Sequence, residues 1–108
     1  MMAQALRGGD AEARLTRALT RHAAASGVAL AAERCRLRPW SSATFEGAQL
    51  TLTLALAPTG SARDWLGALP EAELPMRGHV AMPPAVDTIA ERDDGLVAEI
   101  TVLVLIDA

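Results

Sequence analysis

Ala98-Glu99-Ile100-Thr101-Val102-Leu103-Val104-Leu105-Ile106 is the stretch that decides the fold. Its even positions are apolar throughout, whereas Glu99 and Thr101 make the odd face polar until Leu103 and Leu105 turn it apolar as well. Alternation with a period of two that gives way to apolar residues on both faces reads as a central strand. One face is covered along its whole length and the other at one end.

Asp93-Asp94-Gly95, just upstream, is the strongest turn signal in the chain; it predicts a hairpin between the terminal strand and a third strand running back from Arg92 through Val86. That third strand begins near Arg77 or Gly78 and is interrupted by Pro83-Pro84. Adjacent prolines remove ladder donors, so they belong on an edge or at a bulge. The facing of Asp87 depends on the turn. A two-residue loop at Asp94-Gly95 sets it opposite Val102 on the covered face, and a three-residue loop at Asp93 to Gly95 turns it outward.

Placing Gly47 on Gly95 aligns the two halves of the chain at a shift of 48 residues, with Leu50 on Ala98, Leu52 on Ile100, Thr53 on Thr101, Leu54 on Val102 and Leu56 on Val104. Leu50, Leu52, Leu54 and Leu56 form the covered face of a second strand. Before it, after a turn at Phe45-Glu46-Gly47, lies a first strand in which Arg34, Arg36 and Arg38 alternate with Cys35 and Leu37 and which Pro39 marks as an edge. Each half opens with a helix. The first runs from Asp10, as its cap, to about Ser26, with Gly27 as the C′ residue; Leu15, Ala18, Leu19 and His22 form its apolar stripe and Arg14, Arg17 and Arg21 another face. The second opens at Ser61 with Asp64 in a capping-box arrangement and ends at about Leu69 before Pro70, burying Trp65, Leu66 and Leu69.

The chain therefore reads as an α+β protein of two αββ repeats, 10–57 and 58–108, behind a flexible N-terminus, 1–9. This element order resembles a cyclic permutation of the ferredoxin-like β-α-β-β-α-β fold, in topology alone. The resemblance implies a four-stranded antiparallel or mixed sheet in the order third, fourth, second, first. Strands two and four would be central, adjacent and parallel, and both helices would cover one face.

At 108 residues the chain has the size of one domain, with a net charge of −3, and its one cysteine, Cys35, excludes an internal disulfide or a cysteine-rich metal site. Nothing near the N-terminus resembles the apolar core of a signal peptide, so the expected compartment is the cytoplasm, without membrane insertion. All ten basic residues are arginine, and Lys, Asn and Tyr are missing, a profile of GC-rich bacterial coding. An acidic chain with few aromatics argues against nucleic-acid binding, and the Arg14/Arg17/Arg21 stripe reads as a solvated helix face.

Catalytic motifs are missing: no Gly-rich phosphate loop precedes a helix, no histidine pair has metal spacing, and no serine lies in a nucleophile elbow. No cofactor or metal is implied. Cys35 reads as a small core residue, because its arginine neighbours point to the opposite face and are poorly placed to acidify the thiol.

The uncovered face of the sheet is more informative. It carries Arg34, Arg36, Arg38 and Glu99 as candidate contacts for a ligand or partner, and Ala55, Thr101, Leu103 and Leu105 as a candidate homodimer face. Two functions of different class fit. The favoured one is a non-enzymatic interaction module that dimerises through this face and can engage a protein partner. The alternative is a small-molecule binder or small enzyme in which the arginines hold an anionic metabolite, with Asp87, His79 or Glu99 titrating. Cover from the connector Glu71 to Met76 or from the N-terminal arm is the competing account of the apolar patch.

Overall fold

The computed structural model describes the backbone of residues 2–106 and the side chains of residues 10–106. Helix α1 (Met2–Ala25) leads into strands β1 (Leu30–Ser41) and β2 (Glu46–Leu56), then helix α2 (Gly60–Ala68) and a 3₁₀ turn (Leu69–Glu71). Four further strands follow: β3 (Pro75–Met76), β4 (His79–Ala81), β5 (Ala85–Arg92) and β6 (Gly95–Ile106). The described residues thus form an α+β structure with two helices and a six-stranded antiparallel sheet.

Strands β2 and β6 are the centre of that sheet. They pair over ten residues each from Gly47↔Leu105 to Leu56↔Leu96, with β1 beyond β2 and with β4 and β5 sharing the far side of β6. Their even residues Leu50, Leu52, Leu54, Ile100, Val102 and Val104 are fully buried. One core joins them to Leu15, Leu19 and Ala23 of α1 and to Ala62, Trp65 and Leu66 of α2, so both helices lie over the even face. The odd residues of β2, and those of β6 from Val97 to Leu105, stay half-buried or exposed.

The pairing of β2 with β6 is antiparallel, which corrects the expectation of parallel central strands. Period-two burial is the same whichever way a strand runs, so alternation leaves direction open. The strand count also differs from four. Pro83-Pro84 divides the third strand into β4 and β5, both bonded to β6, and β3 adds a two-residue edge against β4.

Helix α1 ends in a Schellman closure: Val28 N–H donates to the Ala23 carbonyl and Gly27 N–H to the Ala24 carbonyl, both at 2.9 Å, with Gly27 at φ 74°. Its start lies at Met2, well before the expected cap. Asp10 is therefore inside the helix, and its carboxylate accepts a 2.8 Å bond from Arg14 Nε one turn on. Helix α2 begins after Thr59, in extended conformation and without a side-chain cap bond, so the Ser61/Asp64 capping box does not form. The first hairpin turn occupies residues 42–45, ahead of the expected Phe45-Glu46-Gly47. Ser42 Oγ accepts from the Thr44 and Phe45 amides, while Glu46 and Gly47 already belong to β2.

Candidate functional site: the open face of the sheet

The antiparallel register arranges the uncovered face in rungs that cross all the long strands. At one end Trp40, Gly47, Leu105 and Val80 share a rung. Beside it lie Arg38, Gln49 and Leu103, with the Met82 amide donating to the Leu103 carbonyl at 2.8 Å. Next come Arg36, Thr51, Thr101 and Ala85, then Arg34, Thr53, Glu99 and Thr88. Ala31, Ala55, Val97 and Ala90 close the series. Apolar side chains therefore lie at both ends, the largest of them at the Trp40 end, and polar ones in the middle.

Trp40, Val80 and Met82 are 40, 49 and 39% exposed, an unusual condition for large apolar side chains lying together. The connector does not cover them. Leu74 is buried in the core with the helices, and β3 packs beside α1. Ala55 stands apart from this patch, which corrects its grouping with Leu103 and Leu105. A parallel pairing would have set it near Leu103; the antiparallel one puts it opposite Val97, about 20 Å along the strand at about 3.4 Å per residue.

Two β-bulges shape the polar middle. Continuing the hairpin registers without them would place Glu33 opposite Leu54 and Asp87 opposite Ile100, both on the helix-covered face. Burying an unpaired carboxylate there is costly. The register instead shifts between Ala32 and Arg34 and between Val86 and Thr88, which leaves Glu33 and Asp87 as the extra residues. Both side chains reach the open face. The loop that starts β6 is Asp93-Asp94, flanked by the pair Arg92↔Gly95, so neither expected loop forms and the bulge is what turns Asp87 outward.

Asp87 Oδ2 accepts a 2.6 Å bond from Thr101 Oγ1, which itself lies 3.4 Å from Thr51 Oγ1. Since Thr101 has one hydroxyl proton and gives it to Asp87, Thr51 is the donor of the second bond. Glu33 takes a bidentate bond from Arg92, with both N···O distances 2.8 Å, so the ion pair crosses the sheet from β1 to β5. The Arg92 guanidinium holds the Glu33 carboxyl below its ordinary range, chiefly through these hydrogen bonds. Arg34, Arg36, Arg38 and Glu99 have no ion-pair partner among the described residues. Arg36 and Arg38 line a shallow groove with Leu37, Gln49 and Thr51.

Cys35 packs on the opposite face, against the core. Burial first, and then the nearby Glu12 carboxylate, push its thiol up to about 11. That leaves it protonated at neutral pH, the wrong state for a nucleophile. His22 and Trp65 also belong to the helical side, joined by a 2.8 Å bond from the indole N–H to His22 Nδ1. His79 Nδ1 lies 3.1 Å from the Arg77 carbonyl, and its buried Nε2 has no partner among the described residues. Asp87, Glu99 and His79 thus do not converge: Asp87 and Glu99 share the open face, and His79 pairs with Ile106 on the other. Among the described residues no three His, Cys, Asp or Glu side chains come together as a metal site, and no helix is long and apolar enough to cross a membrane.

Sequence reasoning found the arginine row and the Leu103/Leu105 end. It missed Trp40, Val80 and Met82 as members of the same patch, and Glu33 and Arg92 as a strap. Trp40 follows Pro39 at the end of a strand whose length the proline obscured, and Val80 and Met82 sit in a segment too short for its alternation to be read. No protein-family model matches the chain, and no curated protein or solved structure matches it either.

Proposed function

We propose that this protein is a non-enzymatic interaction module that pairs with a second copy of itself through the open face of the sheet. The observation that carries this reading is the apolar end formed by the exposed Trp40, Val80 and Met82 around the half-buried Leu103 and Leu105. Burial of such a patch is the main driving force available for association. The distribution of charge and bulk supports a specific geometry. A two-fold axis parallel to the strands, between β2 and β6, sets β1 of one copy over β5 and β4 of the other. Arg34, Arg36 and Arg38, which make no ion pair among the described residues, then face the side that carries Asp87 and Glu99, Trp40 lies over Val80, and Leu105 lies over Gly47, where no side chain competes for space.

Sedimentation equilibrium of the wild type and of Leu103→Glu tests this. The expected result is a dimer that dissociates in the variant, because two glutamates would meet near the axis in a dry interface. A wild type that stays monomeric at high micromolar concentration overturns the reading.

The internal duplication belongs to the same proposal. Under the 48-residue shift Leu52 corresponds to Ile100, and these two residues are also each other's cross-strand partners. A pseudo-two-fold through that rung, relating two αββ units in a permuted ferredoxin-like arrangement, requires that coincidence.

A second reading has one observation in its favour, the groove in which Arg36 and Arg38 lie beside Gln49 and Thr51 without carboxylate partners among the described residues. There an anionic metabolite would be held by guanidinium forks. A thermal-shift screen of anionic metabolites separates the two: stabilisation lost in Arg36→Gln/Arg38→Gln favours the binder, and no stabilisation at all counts against it.

A further inference from the structure

On the helical side of the molecule, away from the open face, α1 and the segment leading into β3 enclose a groove of about 380 Å³. Its walls carry Arg14, Arg17 and Arg21 from one face of α1 and Arg77 from the turn after β3, against the single carboxylate of Glu73. Arg77 is more than fifty residues away in sequence, so folding itself assembles this cluster. The chain as a whole is acidic, yet of these four arginines only Arg14 has a carboxylate partner among the described residues, Asp10, at 2.8 Å. Arg17, Arg21 and Arg77 make no ion pair among the described residues, with Glu73 or with any other group. Gathering unneutralised guanidiniums around one concavity raises their mutual repulsion, which an anion relieves.

A second feature of the groove is a positioned donor. His22 is part of its lining, and its Nδ1 accepts the indole N–H of Trp65, a side chain only 3% exposed. Indole nitrogen can only donate, so the proton of the neutral imidazole resides on Nε2. Trp65 thereby fixes the tautomer and the tilt of the ring and presents Nε2–H as a hydrogen-bond donor. The remaining wall, Ala18, Pro75 and Met76, is apolar.

We infer that this groove is a binding site for a small organic phosphate. Its phosphoryl group is held by the guanidiniums of Arg17, Arg21 and Arg77, whose planar forks match phosphate oxygens, together with His22 Nε2–H. Its apolar part rests on Ala18, Pro75 and Met76.

The Trp65 indole N–H provides the readout, because it is bonded to a residue of the site, while Trp40 lies on the other face and acts as an internal reference. Inorganic phosphate and phenyl phosphate are titrated into the full chain at constant ionic strength, following both indole signals by ¹H–¹⁵N correlation spectra. The expected result is a saturable shift of Trp65 with Trp40 unmoved, and tighter binding of phenyl phosphate than of inorganic phosphate. Arg21→Gln/Arg77→Gln, at exposed positions, should weaken binding roughly tenfold or more, and Arg17→Gln alone should weaken it in the same direction. Arg36→Gln/Arg38→Gln should leave it unchanged. The proposal is overturned by a shift that sodium chloride reproduces, by equal loss in the Arg36/Arg38 variant, or by no shift at all. Tighter binding of a single-stranded oligonucleotide than of phenyl phosphate at equal phosphate concentration also overturns it, in favour of a polyanion surface.

Discussion

Cys35 shows how one position in a strand decides between chemistry and packing. It pairs with Leu52 on the covered face, next to α1, while Arg34 and Arg36 point away from it on the open side. The three arginines therefore cannot lower its thiol, and burial together with Glu12 raises it to about 11. Alkylation by iodoacetamide, followed by mass spectrometry, should accordingly be slow at neutral pH in the folded protein and accelerate only as the pH approaches that value. Rapid modification at neutral pH without unfolding would contradict the packing described. Gly47 is another residue whose neighbours dictate its identity: a Cβ there would run into the Val104 carbonyl oxygen, so β2 and β6 approach closely only because the side chain is missing.

At the scale of elements, bulges and prolines matter more than propensity. Both outer strands contain a carboxylate that strict alternation would bury, and both insert one extra residue that carries it to the open face. The hairpin between β5 and β6 depends in turn on Gly95, whose φ of 150° is open to glycine and where a Cβ would strike the Leu56 carbonyl oxygen. Gly95→Ala should therefore destabilise the fold by about 1–3 kcal/mol in chemical denaturation. Hydrogen exchange should quicken first in β5 and at the start of β6. An unchanged midpoint would mean that the turn adopts another form. The run from Arg77 to Arg92 was legible as an interrupted strand, but its division into two pieces on one partner was not, because the proline pair says where pairing stops and not what resumes it.

For the molecule as a whole, the Glu33–Arg92 ion pair joins the two outer strands across the face that carries no helix. Both groups are solvent-accessible, so its contribution is modest and screened by salt. Its sign with pH is nonetheless defined. Arg92 lowers the Glu33 carboxyl, so the stabilisation is fully present above the ordinary carboxylate range and disappears as the pH falls through the lowered value. The stability difference between wild type and Glu33→Gln should thus stay level from neutral pH down to the ordinary carboxylate range and shrink only below it, measured by denaturant midpoints at each pH. A difference that does not change with pH would show that the pair contributes nothing in solution.

The sequence by itself determined which side of each central strand is buried. Leu50, Leu52, Leu54, Ile100, Val102 and Val104 follow from alternation, the closure of α1 from Gly27, and the burial of Trp65 and Leu66 from helical spacing, all local regularities that survive any arrangement of the elements. Only the tertiary structure decided which residues of the open face are neighbours. Direction and register between β2 and β6 rest on contacts made far apart in the chain. The antiparallel direction set Ala55 apart from Leu103 and brought Trp40 onto the rung of Leu105, the pairing of β4 with β6 added Val80 to that rung, and the placing of β3 beside α1 put Arg77 near the arginine face of that helix. A periodic pattern specifies a surface to be covered; the identity of what meets it depends on how the whole chain closes on itself.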